Sequence, residues 1–311
     1  MERQPYVVSA RIVVAHEPQI GVVTVTFNSG RVLRPFLKCV SDQTLMNYRM
    51  YVVDNASTDD TLSIFAENQD QRIRLIANPE NWGVAEGNNE GIRAAMADGC
   101  QAVLLLNNDT EFPQDLFANL YSALDENDCD MSTPKVLYFE PSDTIWCAGG
   151  WFDSKRFYGA FHYGMGEKDS GQYDETRQIT YAPTCCLMVR RSVFEEIGLM
   201  DSKYFVYSDD VDFLYRCLRK NLRLWYIPKS ILFHKVSSLT GGDESDFAIR
   251  FMTRNRMYFV RKHLPTWQAL LWGTHFLAYT APKLVLSGQD SVSRWRLRCA
   301  SLFEGLSMAH E

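Results

Sequence analysis

The feature that most constrains this fold is an alternation running through the first third of the chain. Apolar, β-branched runs each give way to a segment of helical period. Residues 20–27 (IGVVTVTF) read as a buried strand. Leu33, Phe36, Leu37 and Val40 then recur at helical spacing. Residues 50–53 form a second strand ending in Asp54-Asn55, and Ser57 and Thr58 are candidate N-caps for the helix that follows. Residues 72–77 are a third strand, and residues 83–98 are a small-residue helix closed by Gly99 at its C-cap. Residues 102–106 are a fourth strand ending in Asn107-Asn108-Asp109, after which Pro113 starts another helix. Alternation of this kind implies an α/β domain with a largely parallel sheet. Ligands of such sheets sit at the carboxyl ends of strands. Residues 26–29, 54–57 and 107–109 are polar clusters at such ends.

At 311 residues the chain has room for one large domain with an appended region. A net charge of −6 argues against nucleic acid as a partner. The eight cysteines form no C-x-x-C pair, so neither zinc nor a disulfide framework is expected. Residues 1–19 hold no apolar run fit for export. The expectation is therefore reduced, mostly core-filling thiols in a cytoplasmic chain. Residues 131–181, rich in Gly and aromatics, read as shorter strands and loops that could shape an acceptor cleft.

Four constellations carry chemistry. Asp109, in the cluster Asn107-Asn108-Asp109, offers a carboxylate to a hard cation while leaving positions free for phosphates; the alternative is a turn former. Asp209, Asp210 and Asp212, three carboxylates within four residues and followed by Arg216, sit amid aromatic bulk. Crowding raises their pKa values, which suits a general base; the alternative is a solvated helix start. His234 follows an apolar run and gains weight only in combination with Asp109. Residues 78–89 (NPENWGVAEGNN) carry glycines before a helix start, which favours an anion.

Taken in order, the stretches VTFNS (25–29), VVDNASTD (52–59), NWGVAEGN (81–88), LNND (106–109) and YSDDVD (207–212), followed by His234, resemble the inverting glycosyltransferases of family 2, which have the GT-A fold. The likeness extends over about residues 20–239 and is greatest to rhamnosyltransferase-like and galactofuranosyltransferase-like enzymes of bacterial surface polysaccharides. It implies that Thr26, Asn28 and Asp54 hold the nucleoside. Asn81, Gly83 and Asn88, with Asn107 and Asn108, would line the rest of the donor pocket. It implies Mg or Mn at Asp109 and His234, Asp210 as general base, and Asp209 and Asp212 in support. The family often has Asp at the position of Asn107, which leaves Asp109 and His234 as the protein ligands. It often has Glu at the position of Asp209, so charge is kept with a shorter reach.

The implied division is an extension (1–19), a GT-A catalytic domain (20–245; donor half about 20–110, acceptor half about 111–245) and a helical C-terminal region (246–311). The implied partners are a dTDP- or UDP-sugar, with rhamnose one candidate, and a glycan or lipid-linked glycan acceptor. Residues 267–286 are the most apolar stretch and have basic residues on both sides. They read as an interfacial helix on the inner face of the membrane, or equally as a helical cap or homo-oligomer interface. Two rival functions are a nucleotidyltransferase, disfavoured because no Gly-rich basic loop follows the first strand, and a non-catalytic glycan-binding subunit.

Overall fold

A computed structural model describes residues 19–236, 245–280 and 292–309. The N-terminal extension, save its last residue, and part of the apolar stretch (281–286) lie outside the described residues. The strands are β1 (Ile20–Thr26), β2 (Tyr48–Asp54), β3 (Ile73–Ala77), β4 (Ala102–Leu106), β5 (Thr110–Glu111), β6 (Met131–Tyr138), β7 (Ile145–Cys147), β8 (Gly150–Asp153), β9 (Gly159–His162), β10 (Arg177–Ile179), β11 (Cys186–Arg190) and β12 (Leu224–His234). The helices are α1 (Gly30–Ser41), α2 (Thr61–Glu67), α3 (Gly83–Ala97), α4 (Leu116–Glu126), α5 (Arg191–Ile197), α6 (Asp209–Arg219), α7 (Asp246–His263), α8 (Thr266–Thr280) and α9 (Val292–Ser307).

The main sheet runs β10-β12-β6-β11-β4-β1-β2-β3. Its first half is the parallel β3-β2-β1-β4 unit that the alternation implies. β1 carries no polar residue until Thr24 and is buried on both faces, as a central parallel strand must be. Gly91 of α3 lets that helix approach: a Cβ there would come 2.3 Å from Val23 Cγ1. Apolar cores lie on both sides of the sheet. α3 closes in a Schellman arrangement, with Gly99 at φ 83° and the Cys100 N–H donating to the Ala95 carbonyl, as its sequence indicates.

Several local expectations are corrected. Ser57 and Thr58 do not cap α2. Ser57 donates its N–H and hydroxyl to the Asp54 carboxylate at 2.9 and 2.6 Å, and the Thr58 N–H goes to Asn28 Oδ1 at 2.8 Å. α2 begins only at Thr61, with Asp60 in the cap position. Pro113 does not open α4, which starts at Leu116. Residues 131–181 are less irregular than their composition suggests, because the eight-residue β6 runs through the sheet. The sheet is mixed: β11 is antiparallel to both β4 and β6, while β12 is parallel to β6.

Candidate active site

The carboxyl ends of β1 and β2 bring Thr26, Asn28 and Asp54 together. Thr26 Oγ1 donates to Asp54 Oδ1 at 2.8 Å, and Asn28, at φ 51°, accepts from the Thr58 N–H. These bonds hold the Asp54 carboxylate in one orientation at the strand end. The next layer is Asn81, whose Oδ1 accepts from the Gly83 N–H at 2.9 Å. Asn55 joins both layers, donating to the Gly83 carbonyl at 2.9 Å and accepting from Asn78; its role was not singled out in the sequence. Gly83 requires its glycine: φ is 81°, and a Cβ would lie 2.4 Å from the Phe205 carbonyl oxygen. Two expected donor-pocket residues turn inward. Asn88 Nδ2 is directed at Met200 Sδ at 3.8 Å, and Asn108 donates to the Val25 carbonyl at 2.6 Å. Asn107 is exposed at the end of β4.

Strand register creates the Asp109–His234 pair. β12 pairs antiparallel with β5, setting His234 against Thr110, and the Lys235 N–H donates to the Asp109 carbonyl at 2.9 Å. His234 Nε2 then lies 3.2 Å from Asp109 Oδ1. His234 Nδ1 is buried without a hydrogen-bond partner. Among the described residues no cluster of three His, Cys, Asp or Glu side chains could hold a metal. The donor set fits a cation held by two protein groups, with ligand oxygens and water completing the shell. Two neighbouring ligands on an octahedral ion with bonds of about 2.1 Å lie about 3 Å apart, close to the separation seen.

The acidic motif opens α6. Ser208 precedes it in the left-handed region at φ 63°. Asp210 keeps partial exposure, and its carboxylate accepts from Tyr181 Oη at 2.7 Å and from the Val211 N–H. Burial raises its pKa despite these bonds. Asp209 is 4% exposed and its Oδ2 has no partner. Burial, and then the charge of Asp210, push Asp209 up to about 7. Asp212 behaves oppositely. Burial alone would raise it, but the 2.6 Å contact with His263 Nε2 and the charges of Lys262 and Arg216 hold it well below the usual carboxylate range. Its carboxylate bonds to Arg216 Nε at 2.9 Å, Lys262 Nζ at 2.8 Å and Tyr204 Oη at 3.1 Å, so it faces α7.

An aromatic line joins the two halves. Trp146 packs on His234 with ring centroids 4.6 Å apart and on His162 at 4.9 Å; His162 stacks on Tyr181 at 5.7 Å, and Tyr181 bonds Asp210. Burial lowers the His162 pKa, partly offset by the contact of its ring nitrogen with the Trp146 carbonyl. Trp146, His162 and Tyr181 escape sequence reasoning, beyond the aromatic richness of their segment.

A mostly parallel mixed sheet flanked by helices, with polar loops at the carboxyl ends of its parallel strands, is the GT-A fold. Residues 21–198 match the sequence model of Glycosyl transferase family 2, and the chain belongs to that family. It is 25% identical over 306 residues to the N-acetylglucosaminyl-diphospho-decaprenol L-rhamnosyltransferase of Mycobacterium tuberculosis, covering 92% of this chain and 98% of that one. It is 26% identical over 209 residues to the low-salt glycan biosynthesis hexosyltransferase Agl10 of Haloferax volcanii, covering 66% of this chain but 64% of that protein's length. The dTDP-rhamnosyl transferase RfbF of Shigella flexneri is 23% identical over 260 residues, covering 79% and 81%. In fold it is similar to GalNAc-T7, solved with UDP, GalNAc and Mn2+ (TM-score 0.59, 14% identity, 92% of this chain and 55% of that chain). It is likewise similar to the mannosyltransferase PcManGT of Pyrobaculum calidifontis, solved with GDP-Man and Mn2+ (TM-score 0.56, 16% identity, 96% and 77%).

Proposed function

We propose that this chain is an inverting, cation-dependent glycosyltransferase. It would move a hexose, with rhamnose the first candidate, from a dTDP- or UDP-sugar to a hydroxyl of a glycan or lipid-linked glycan in bacterial surface polysaccharide synthesis. The observation that carries the reading is the contact line Asp109–His234–Trp146–His162–Tyr181–Asp210. It links a pair suited to a cation with a raised carboxylate that keeps solvent access. Thr26, Asn28 and Asp54, with Asn81 and Gly83, hold the nucleoside, and Asn107 borders the diphosphate, while Asn88 and Asn108 turn inward and brace the segments behind the pocket. Asp109 and His234 hold Mg or Mn; when bound, that ion neutralises charge on the departing diphosphate. Asp210 takes the proton of the acceptor hydroxyl as that oxygen attacks the anomeric carbon in one displacement. Tyr181 fixes the rotamer of Asp210, Asp209 supports it as the buried first residue of α6, and Asp212 supports it by anchoring α6 to α7. Residues 20–245 form the catalytic domain on this reading. The outer side of α8 rests on the inner membrane surface, although no helix of the described residues is long and apolar enough to cross a membrane.

Nucleoside-diphosphate release from a panel of UDP- and dTDP-sugars tests the activity. Asp210→Asn is expected to lose about 10²–10⁴-fold in turnover, the usual contribution of a general base. Calorimetric binding of UDP or dTDP with MnCl2 is expected to stay as in the wild type. Wild-type turnover by this variant overturns the assignment of the base.

A further inference from the structure

The turn that delivers Asp209 and Asp210 is backbone that L-residues rarely adopt. Phe205, Tyr207 and Ser208 have φ of 62°, 62° and 63°. Such a run persists only where its surroundings over-determine it. The main contacts that do so come from α7, outside the span that matches the family. Asn255 is fully buried, and its Nδ2 lies 2.9, 2.7 and 2.8 Å from the carbonyl oxygens of Tyr204, Val206 and Tyr207. Its Oδ1 accepts from Arg254 Nε at 2.8 Å, which fixes the amide with its NH2 toward the turn. The Arg254 guanidinium in turn donates to the Lys203 and Tyr204 carbonyls at 2.8 Å each. On the opposite side, the Phe205 carbonyl accepts from the Val84 N–H at the start of α3, beside Gly83. The turn is thus held between the C-terminal region and the candidate donor loop.

We propose that Asn255 is a positioning residue: its side-chain amide clamps the 204–208 turn so that Asp210 meets the acceptor hydroxyl at the start of α6. The inference rests on Asp210 being the base. No other side chain described here gathers three carbonyls of this turn, and Ser208 itself makes no side-chain cap bond to α6. An isosteric carboxylate at position 255 has no N–H to offer and sets negative charge against those carbonyls.

The experiment compares Asn255→Asp and Asn255→Ala in the full chain, scored per folded molecule with the same donor panel. The expected result is a fall in kcat of about 10²-fold, the scale of a misplacement of about 1 Å at a reacting group. Donor KM and the affinity for UDP or dTDP with MnCl2 stay within about threefold, a split that general loss of folding does not produce. Adding Ser208→Gly to Asn255→Ala is expected to restore part of the lost kcat, because glycine adopts the left-handed backbone without the clamp. A folded variant with wild-type kcat overturns the proposal, and so does a donor KM that rises in step with the loss. If neither variant folds, amide exchange in the wild-type chain decides. Opening of the Val211 and Asp212 N–H groups together with the middle of α7 supports the clamp, and independent, faster opening overturns it. An inactive Asp210→Asn beside a fully active Asn255→Asp refutes the clamp alone, whereas an active Asp210→Asn refutes the base.

Discussion

With 3.2 Å between Nε2 and Oδ1, and little of either side chain exposed, Asp109 and His234 are paired before any cation arrives. On the proposed reading, a cation entering between them would exchange that contact for two bonds with little rearrangement of the strands that carry them. Changing even an outer-shell partner of a metal typically costs 10–100-fold in affinity, so loss of a direct ligand is expected to cost at least as much. Asp109→Ala is therefore expected to weaken MnCl2 binding in the presence of UDP or dTDP by about 10²-fold or more. His234→Ala is expected to cost about tenfold, since a neutral imidazole offers a hard cation less than a carboxylate does. Calorimetric titration reads both, and unchanged affinity in both variants removes the pair from the site. Asp109 and Asp210 stand out in the sequence because each is a carboxylate in a cluster with a physical reason to be there. Trp146, His162 and Tyr181 do not. They lie on β7, on β9 and just after β10, and only the folding of that aromatic segment against β12 and α6 brings them between His234 and Asp210. No local pattern encodes a contact of that separation.

At the scale of the element, the first turn of α6 carries two carboxylates with opposite titration. Asp209 is raised to about 7 because burial, and then the charge of Asp210, outweigh the backbone N–H groups that favour its charged form, so the folded chain keeps a proton that the unfolded chain releases near pH 4. Stability from this group therefore falls as pH rises from about 4 to about 7 and is level above. Asp212 is depressed, so its contribution is complete above pH 4 and is lost only as pH falls further. Asp209→Asn is expected to become more stable than the wild type by an amount that grows between pH 4 and 7, to about 2–4 kcal/mol. Urea unfolding of the metal-free chain at pH 5 and pH 8 checks the sign, and a difference that shrinks with pH contradicts it. Strands and helices are unequally legible in the sequence. β1, β2, β3 and β4 are bounded by polar strand ends and alternate with amphipathic helices. β11 (CLMVR) is a short run buried on its core positions, and such a run carries no period that separates strand from helix. Its antiparallel insertion between β4 and β6 is a property of the sheet that the segment itself does not encode.

For the whole molecule, the question is what α7, α8 and α9 do for the rest. Read from the sequence, the tail is separable, because every expected donor and metal residue precedes it. The structure ties it in. Lys262 and His263 reach the buried Asp212, Tyr258 and Lys262 bond Asp201, and Asn255 grips the turn before α6. α9 covers α7 in turn: Leu302 is buried, Arg261 donates to the Met308 carbonyl, and Gly305 lies so close that a Cβ would sit 2.2 Å from the Arg254 carbonyl oxygen. α8 is the exception. Trp267, Leu270 and Leu271 are 62%, 59% and 50% exposed, which leaves apolar area that water disfavours at about 25 cal/mol per Å². These two helices therefore respond differently to change. Removing residues 292–311 is expected to lower the melting temperature, because it uncovers the part of α7 against which Leu302 and Gly305 pack and removes the bond of Lys203 to the Ala309 carbonyl. The triple variant Trp267→Ser, Leu270→Ser, Leu271→Ser is expected to keep the wild-type melting temperature and UDP affinity while losing flotation with vesicles of equal parts phosphatidylglycerol and phosphatidylcholine. On the membrane reading the aromatic and aliphatic side chains would supply the insertion energy, and the exposed Arg296 of α9 would favour an anionic surface. Flotation unchanged in the triple variant defeats the membrane reading. A wild-type dimer in light scattering that becomes a monomer in the variant assigns the same face to a second copy of the chain instead. A triple variant that melts early shows that α8 belongs to the folded core and has no outer partner to lose.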